Sequence, residues 1–467
     1  MRTAHVAVDT EQQPELRFPD GFVWGAATAA YQIEGGANAG GRGPSIWDTF
    51  SHTPGRVFDG DTGDVACDHY HRYPADAELM GRLGLQSYRF SVSWPRIQPG
   101  GTGQANPAGL DFYDRLVDAL LARGIDPIAT LYHWDLPQAL EDRGGWTSRD
   151  TAHRFAEYAG IVHERLGDRV TTWLTLNEPW CAAFLGYAAG IHAPGHRDPA
   201  CAFAVVHHLL LAHGVTANAL RSAGARIGIA VNPAHIRPAD RGSAGDVAAA
   251  DLVDTLHNRL FLDTLFGRGY PADALDVAER HGGIGWLRGG DERSIAATID
   301  LLGVNYYSPT VVASKPGEPA NPAYPGTEDI VFLPAPGPVT AMGWPIDPGS
   351  LTEILVRLAT DYPGVPLWIT ENGAAFDDER SGDTVIDHQR VEYLEDHLRA
   401  VHVALERGVD VRGYLVWSLM DNFEWAEGYR RRFGIVHVDY ETQARTPKAS
   451  ALWYSDVIGR NGLGGRR

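Results

Sequence analysis

The sequence predicts an α/β fold, a single (β/α)8 TIM barrel with extended βα loops. Three observations carry this reading. Short β-branched and aromatic runs alternate with amphipathic helical stretches from one end of the chain to the other. Eight such runs are found. The 467 residues suit a barrel that ordinarily takes roughly 200 to more than 400 residues and grows by loop insertion. No break in composition and no tandem repeat divides the chain. Residues 1–467 are therefore read as one catalytic domain, with 1–17 and 456–467 as terminal extensions and the stretch from Asn461 to Arg467 as a short frayed tail.

In chain order the expected strands are Phe22 to Ala29, Ser87 to Trp94, Asp126 to His133, Thr171 to Asn177, Arg226 to Asn232, Ile299 to Tyr306, Pro366 to Thr370 and Val411 to Ser418. Between the second and third, Asn106 to Arg123 reads as a helix. Asn106 is its expected N-cap, Pro107 opens the first turn, and Gly124 stops it. Its apolar face is Leu110, Tyr113, Leu116, Val117, Leu120 and Leu121. Asp387 to Arg407 repeats the pattern with Val391, Leu394, Leu398, Val401 and Leu405 on one stripe and Gly408 after it. The Pro/Gly-rich stretch from Lys315 to Gly349 lies between the sixth and seventh strands and reads as an excursion at the barrel mouth. Trp344 within it is costly to leave in solvent.

Composition narrows the function. Hydrophobic residues make up 44% and charged residues 21%, which excludes a largely disordered chain, a collagen or a coiled coil. A net charge of −19 repels a phosphate backbone, so a nucleic-acid partner is disfavoured. No run approaches the roughly 18 apolar residues needed to span a bilayer, so no membrane partner is expected. The opening residues, with Asp9, Glu11 and Glu15, lack the apolar run of a secretory signal. Cys67, Cys181 and Cys201 are too few and too widely spaced for a disulfide framework. A cytoplasmic location is the simplest expectation.

A barrel places its chemistry at the C-terminal ends of the strands. Those ends supply Gln32, Arg89, His133, Asn177 with Glu178, Asn305 with Tyr307, Glu371, and Trp417 followed by Glu424 and Trp425. The fifth strand offers Asn232, which has no evident role. Glu178 stands in Thr-Leu-Asn-Glu-Pro and Glu371 in Ile-Thr-Glu-Asn-Gly, each just before a chain-reversing element. Taken singly, either glutamate is more often a salt-bridge partner than a catalyst. As a facing pair they are what glycoside hydrolysis requires: one carboxyl group to protonate the leaving oxygen, the other to attack the anomeric carbon or activate water.

These two segments, in this order, resemble the signature segments of glycoside hydrolase family 1, the retaining β-glucosidase family. Phe22 to Glu34, Tyr88 to Arg96, Leu131 to Pro137, Gly303 to Tyr307 and Trp417 to Trp425 resemble it as well, so the likeness runs from about Phe18 to Tyr454. It implies double displacement through a covalent glycosyl-enzyme. Terminal β-D-glucosyl residues, and β-galactosyl or β-fucosyl ones, would be released from O-glycosides and short cello-oligosaccharides. Glu371 would be the nucleophile and Glu178 the acid and then the base. Arg89 would hold Glu371 ionised, while burial and the nearby charge keep Glu178 protonated.

The resemblance also implies the substrate contacts. Gln32 and Glu424 would bond adjacent hydroxyls, His133 and Asn177 the 3- and 2-hydroxyl side, and Asn305 would lie with them. Tyr307 would orient Glu371, Trp417 would lie beneath the ring, and Trp134 and Trp425 would line the same subsite. Trp180, Cys181, Leu185 and Trp344 would wall a mostly apolar entrance for the leaving group, with Trp180 and Leu185 narrowing it and weakening the binding of product glucose. A carboxylate at Glu424 would repel a 6-phosphate. Glu178, rather than Gln, retains the acid that O-glycosides need.

No metal or cofactor is expected. Neither His-Glu-x-x-His nor Cys-x-x-Cys occurs, His69/His71 and His207/His208 lack helical ligand spacing, and the glycines from Gly282 to Gly290 complete no dinucleotide fingerprint. Two rival classes remain. A silent glycoside-binding barrel would be expected to have lost one carboxylate. A metal-dependent isomerase or an aldolase would need a ligand cluster or a Schiff-base lysine at a strand end, and neither is found.

Overall fold

A computed structural model describes residues 15–382 and 384–464, and in it the eight expected runs form one closed, all-parallel barrel. The strands are β1 (Val23–Ala27), β2 (Ser87–Ser91), β3 (Asp126–Tyr132), β4 (Thr172–Asn177), β5 (Arg226–Val231), β6 (Leu301–Asn305), β7 (Leu367–Asn372) and β8 (Val411–Trp417). Each pairs with the next in sequence, and β8 closes on β1. Every residue of β2, β4, β6 and β7 is buried. These strands read as continuous runs rather than alternating ones because one face fills the barrel and the other meets helices. The pairing of β4 shifts register between Leu174 and Asn177, and that of β7 after Ile369. Such irregularities re-aim side chains, and here they lie directly before Glu178 and Glu371.

Among the described residues the eight longest helices follow the strands in turn: α1 (His69–Arg82), α2 (Pro107–Leu121), α3 (Arg149–Leu166), α4 (Pro199–Ser222), α5 (Ala244–Asp254), α6 (Pro348–Asp361), α7 (His388–Glu406) and α8 (Ala449–Arg460). Two expectations for α2 need correction. The Asn106 amide does not cap the helix but donates to Gly40 O and Arg96 O, at 2.6 and 3.0 Å, tying α2 to the preceding loops. Leu121 is 39% exposed, and Phe112 is buried with Tyr113 instead. In α7, Leu394, Leu398 and Val401 are buried as the stripe requires, with Val391 and Leu405 at its edge.

Two further expectations are overturned. α4 is, among the described residues, long and apolar enough to cross a bilayer, contrary to the sequence reading. His207, His208 and His213 interrupt its apolar run, and all three are buried in the fold. A helix apolar all round is what a core position between neighbours demands. The described parts of the expected terminal extensions are also built into the fold. Leu16–Arg17 pairs antiparallel with Gly462–Leu463, and Tyr454, Val457 and Ile458 of α8 are buried. Trp24 Nε1 donates to Asn461 Oδ1 at 2.8 Å, locking the last turn to the first strand. The rest of the expected extensions, residues 1–14 and 465–467, lies outside the described residues. Finally, the Pro/Gly-rich stretch contains a strand, Ile330–Leu333, paired antiparallel with Thr310–Ser314, which itself runs parallel to Ile236–Pro238.

A buried ionic network supports the loop after β8. Lys448, fully buried, bonds Asp378 and reaches Asp421 Oδ1 at 2.7 Å. Arg432 donates to Asp421 Oδ2 at 2.6 Å, and Arg390 joins Asp378 to Asp387. Asp421 immediately precedes the segment that carries Glu424 and Trp425. Removing one partner of a buried pair leaves an uncompensated charge, so Lys448→Met should cost about 3 kcal/mol or more. The measurement is the midpoint of urea unfolding, and an unmoved midpoint would contradict a structural role for the network.

Candidate active site

The site is assembled around Arg89. Its guanidinium rises from β2 into the barrel and is 1% exposed. Nη1 donates to Glu371 Oε1 at 2.7 Å and to Thr370 O at 3.2 Å, Nη2 to Asn177 Oδ1 at 2.6 Å, and Nε to Thr130 Oγ1 at 2.9 Å. One cation thus ties β2 to β3, β4 and β7. Glu371 Oε2 accepts from Tyr307 Oη at 2.6 Å, so both of its oxygens are held.

Glu178 is treated differently. Its backbone turns left-handed, with φ of 46°, which lifts the side chain out of the β4 direction. Oε1 accepts from Asn305 Nδ2 at 2.7 Å, and Oε2 accepts from the Cys181 thiol at 3.1 Å. No cation touches it. Burial and then the charge of Glu371 push the Glu178 carboxyl up to about 7. Burial also raises Glu371, but Arg89 and Tyr307 oppose it. The two buried acids are therefore separated in proton affinity by their partners, as an acid and a nucleophile must be.

The remaining expected residues converge on one cavity of about 550 Å³ at the C-terminal end of the barrel. His133, Trp134, Glu178, Asn305, Tyr307, Glu371, Trp417, Glu424 and Trp425 line it together with Trp180, Cys181, Leu185 and Trp344. Arg89, Asn177 and Gln32 lie behind this lining. Asn177 Nδ2 donates to His133 Nε2 at 2.9 Å, so His133 carries its proton on Nδ1. That Nδ1 is buried without a partner, as is Gln32 Oε1. Burial depresses the His133 pKa well below the usual histidine value. Gln32 Nε2 donates to Asn422 Oδ1 and Phe423 O, at 3.1 and 2.9 Å, which turns Oε1 away from them. A neutral donor and an unoccupied acceptor are thereby prepared for hydroxyl groups.

Trp134 and Trp425 also adopt left-handed backbones, with φ of 74° and 49°, and their rings pack 4.6 Å apart. Trp134 Nε1 is tied to Asn177 O at 2.9 Å. His133 lies nearly parallel to Trp417, with ring centroids 5.8 Å apart. On the other wall, Trp180 packs against His257 and Tyr324 at 4.4 and 5.0 Å, and Trp344 against Tyr307 at 5.4 Å.

Three features were missed by sequence reasoning. Asn232 Nδ2 donates to Cys181 Sγ at 3.5 Å, giving the fifth strand end a place in the site. His257 and Tyr324 back the Trp180 wall, but they come from separate insertions that carry no motif. Glu424 is pushed up to about 8, first by burial and then by Glu371. Among the described residues no cluster of three or more His, Cys, Asp or Glu is arranged to hold a metal.

A sequence model of glycosyl hydrolase family 1 matches residues 15–463. The chain belongs to glycosyl hydrolase family 1. Within it, the chain is 57% identical over 459 residues to the thermostable β-glucosidase B of Thermobispora bispora, covering 98% of this chain and 94% of that one. It is 50% identical to the bifunctional β-D-glucosidase/β-D-fucosidase of Bifidobacterium breve over 94% of this chain and 98% of that one. Its structure superposes on the family 1 β-glucosidase of Thermotoga maritima with a TM-score of 0.91 at 47% identity, covering 96% and 99% of the two chains.

For any chemistry that uses ionised Glu371, activity is lost as the pH falls through its pKa. Tyr307→Phe removes a donor to the charged form, a bond worth about 1.5 kcal/mol. The acid limb of kcat/KM should then move up by roughly one pH unit. An unmoved limb would contradict the role given to this hydroxyl.

Proposed function

We propose that the chain is a retaining β-glucosidase in which Glu371 is the nucleophile and Glu178 the acid/base. The observation that carries the assignment is the unequal treatment of the two carboxyl groups: Arg89 and Tyr307 donate to Glu371, whereas only an amide and a thiol donate to Glu178. Glu371, ionised, attacks the anomeric carbon as Glu178 passes its proton to the departing oxygen, leaving a glycosyl ester on Glu371. Forming that ester removes the negative charge that helped to raise Glu178. Glu178 then titrates lower and, now a carboxylate, takes a proton from the water that attacks the same carbon. Two inversions give net retention.

Substrate class follows from the lining. Gln32 Oε1, His133 Nδ1 and Glu424 offer hydrogen bonds to hydroxyls, and the Trp417 ring offers a flat apolar face. A 6-phosphate would bring about −1.5 to −2 charges towards ionised Glu371 in a cavity whose lining has no lysine or arginine. Unphosphorylated glucosides are thus the expected substrates, with galactosides and fucosides alongside; a relative is named for both glucosidase and fucosidase activity. Trp180, Leu185, Ile191, Met342 and Trp344 make a leaving-group end suited to aryl, alkyl or glucosyl groups. All three cysteines are free, which supports action in a reducing compartment such as the cytoplasm.

Hydrolysis of 4-nitrophenyl β-D-glucoside followed by NMR should release β-glucose first. Glu371→Ala should lower turnover by roughly 10⁴-fold or more, and azide should restore release of 4-nitrophenol with formation of α-glucosyl azide. A β-azide, or α-glucose from the parent enzyme, would contradict the assignment.

A further inference from the structure

Cys181 and Asn232 both line the cavity, Asn232 from just beyond the end of β5. Their geometry joins them. Cys181 follows Glu178 by three residues and opens a π-helical turn, Cys181–Ala188, of the kind that often occurs at functional sites. That turn places Sγ 3.1 Å from Glu178 Oε2. From the end of β5, Asn232 Nδ2 donates to the same sulfur at 3.5 Å. The Asn232 main chain is itself held, because its backbone carbonyl accepts from His257 Nε2 at 2.8 Å while His257 Nδ1 accepts from Tyr324 Oη at 2.7 Å.

We propose that Asn232 and Cys181 form a positioning relay that aims the thiol proton at Glu178 Oε2, so that the acid/base keeps one orientation through both half-reactions. This rests on the reading of Glu178 as acid/base. Burial and the Glu178 charge hold the Cys181 thiol well above its usual pKa, so the sulfur keeps its proton and remains a donor. A thiol is a weak donor. It can fix a carboxyl group that must alternate between acid and base without fixing its charge, as the guanidinium of Arg89 does for Glu371. The other groups facing Glu178 are Glu371, Arg89, Asn305, Tyr307 and Glu424, with neutral His133 and His257 on the same cavity. None of them reaches Oε2 within hydrogen-bond distance.

The sign is set by the bond. A donor to Oε2 favours the ionised carboxylate, so removing it raises the pKa of Glu178. The basic limb of kcat/KM marks loss of the Glu178 proton in the free enzyme. In Cys181→Ala this limb should move up by roughly half to one pH unit. Cys181→Ser retains a donor, and its limb should lie at or below that of the parent. Asn232→Ala, which leaves the thiol unaimed, should move the limb up by a smaller amount, and it reads the relay even if the Cys181 variants do not fold. The profiles are measured with 4-nitrophenyl β-D-glucoside. An Ala limb coincident with that of the parent, a Ser limb that rises with the Ala limb, or an unmoved Asn232→Ala limb would each overturn the relay. Absence of parent turnover on this substrate would instead remove the reading of Glu178 on which it rests.

Discussion

Burying a guanidinium inside a barrel costs several kcal/mol unless its charge and its donors are met. Arg89 meets that demand with Glu371, Asn177, Thr130 and the carbonyl of Thr370, which between them stand on three other strands. The interaction is structural and chemical at once. It closes the upper layer of the barrel, and it decides which of two neighbouring glutamates carries the negative charge. Everything else in the pocket is arranged with respect to that choice. Asn177, anchored by Arg89, sets the proton of His133; Asn305 bonds both Asn177 and Glu178; and Thr370 holds Asn305 in turn at 2.7 Å.

The barrel makes this possible by placing sequence-distant residues within bonding reach and then bending the chain at the rim. Trp134, Glu178 and Trp425 all adopt left-handed backbones that non-glycine residues seldom take, each at the edge of the cavity. Such local cost is sustained by rigid surroundings. Behind Trp425 these include the buried Lys448, Asp421 and Arg432 network, and Gly434, where a Cβ would come within 2.0 Å of the Asp421 backbone nitrogen. A glycine there is required by close approach rather than by its dihedral freedom. Gly303 serves β6 similarly, since a Cβ would lie 2.7 Å from the Thr370 hydroxyl that supports Asn305.

Much of this was legible in the sequence, and the parts that were not share a physical reason. The strands read clearly because buried parallel strands are uninterrupted apolar runs, and Glu178 and Glu371 read clearly because each sits at the end of one beside a turn former. Partners contributed by elements without a motif did not. Asn232, His257 and Tyr324 reach the wall from three separate segments, and the bond between Trp24 and Asn461 spans almost the whole chain. Cys181 was expected to line the pocket, but its bond to Glu178 depends on a π-helical turn that periodicity does not reveal. The raised proton affinity of Glu424 escaped because it is set first by burial and then by the neighbouring charges of Glu371, Glu427 and Glu178. Histidines within α4 hid a core helix whose burial answers to packing rather than to pattern.

Because Arg89 and Tyr307 donate to Glu371 and neither donates to Glu178, Glu371 is the group expected to bond to sugar. Incubation with 2,4-dinitrophenyl 2-deoxy-2-fluoro-β-D-glucoside, whose fluorine slows release of the glycosyl-enzyme, tests it directly by mass spectrometry of the intact protein and its peptides. One fluoroglucosyl group should accumulate per chain and map to the peptide containing Glu371. A label on Glu178, or turnover of unmodified glucoside by a protein that never accumulates the adduct, would contradict the account.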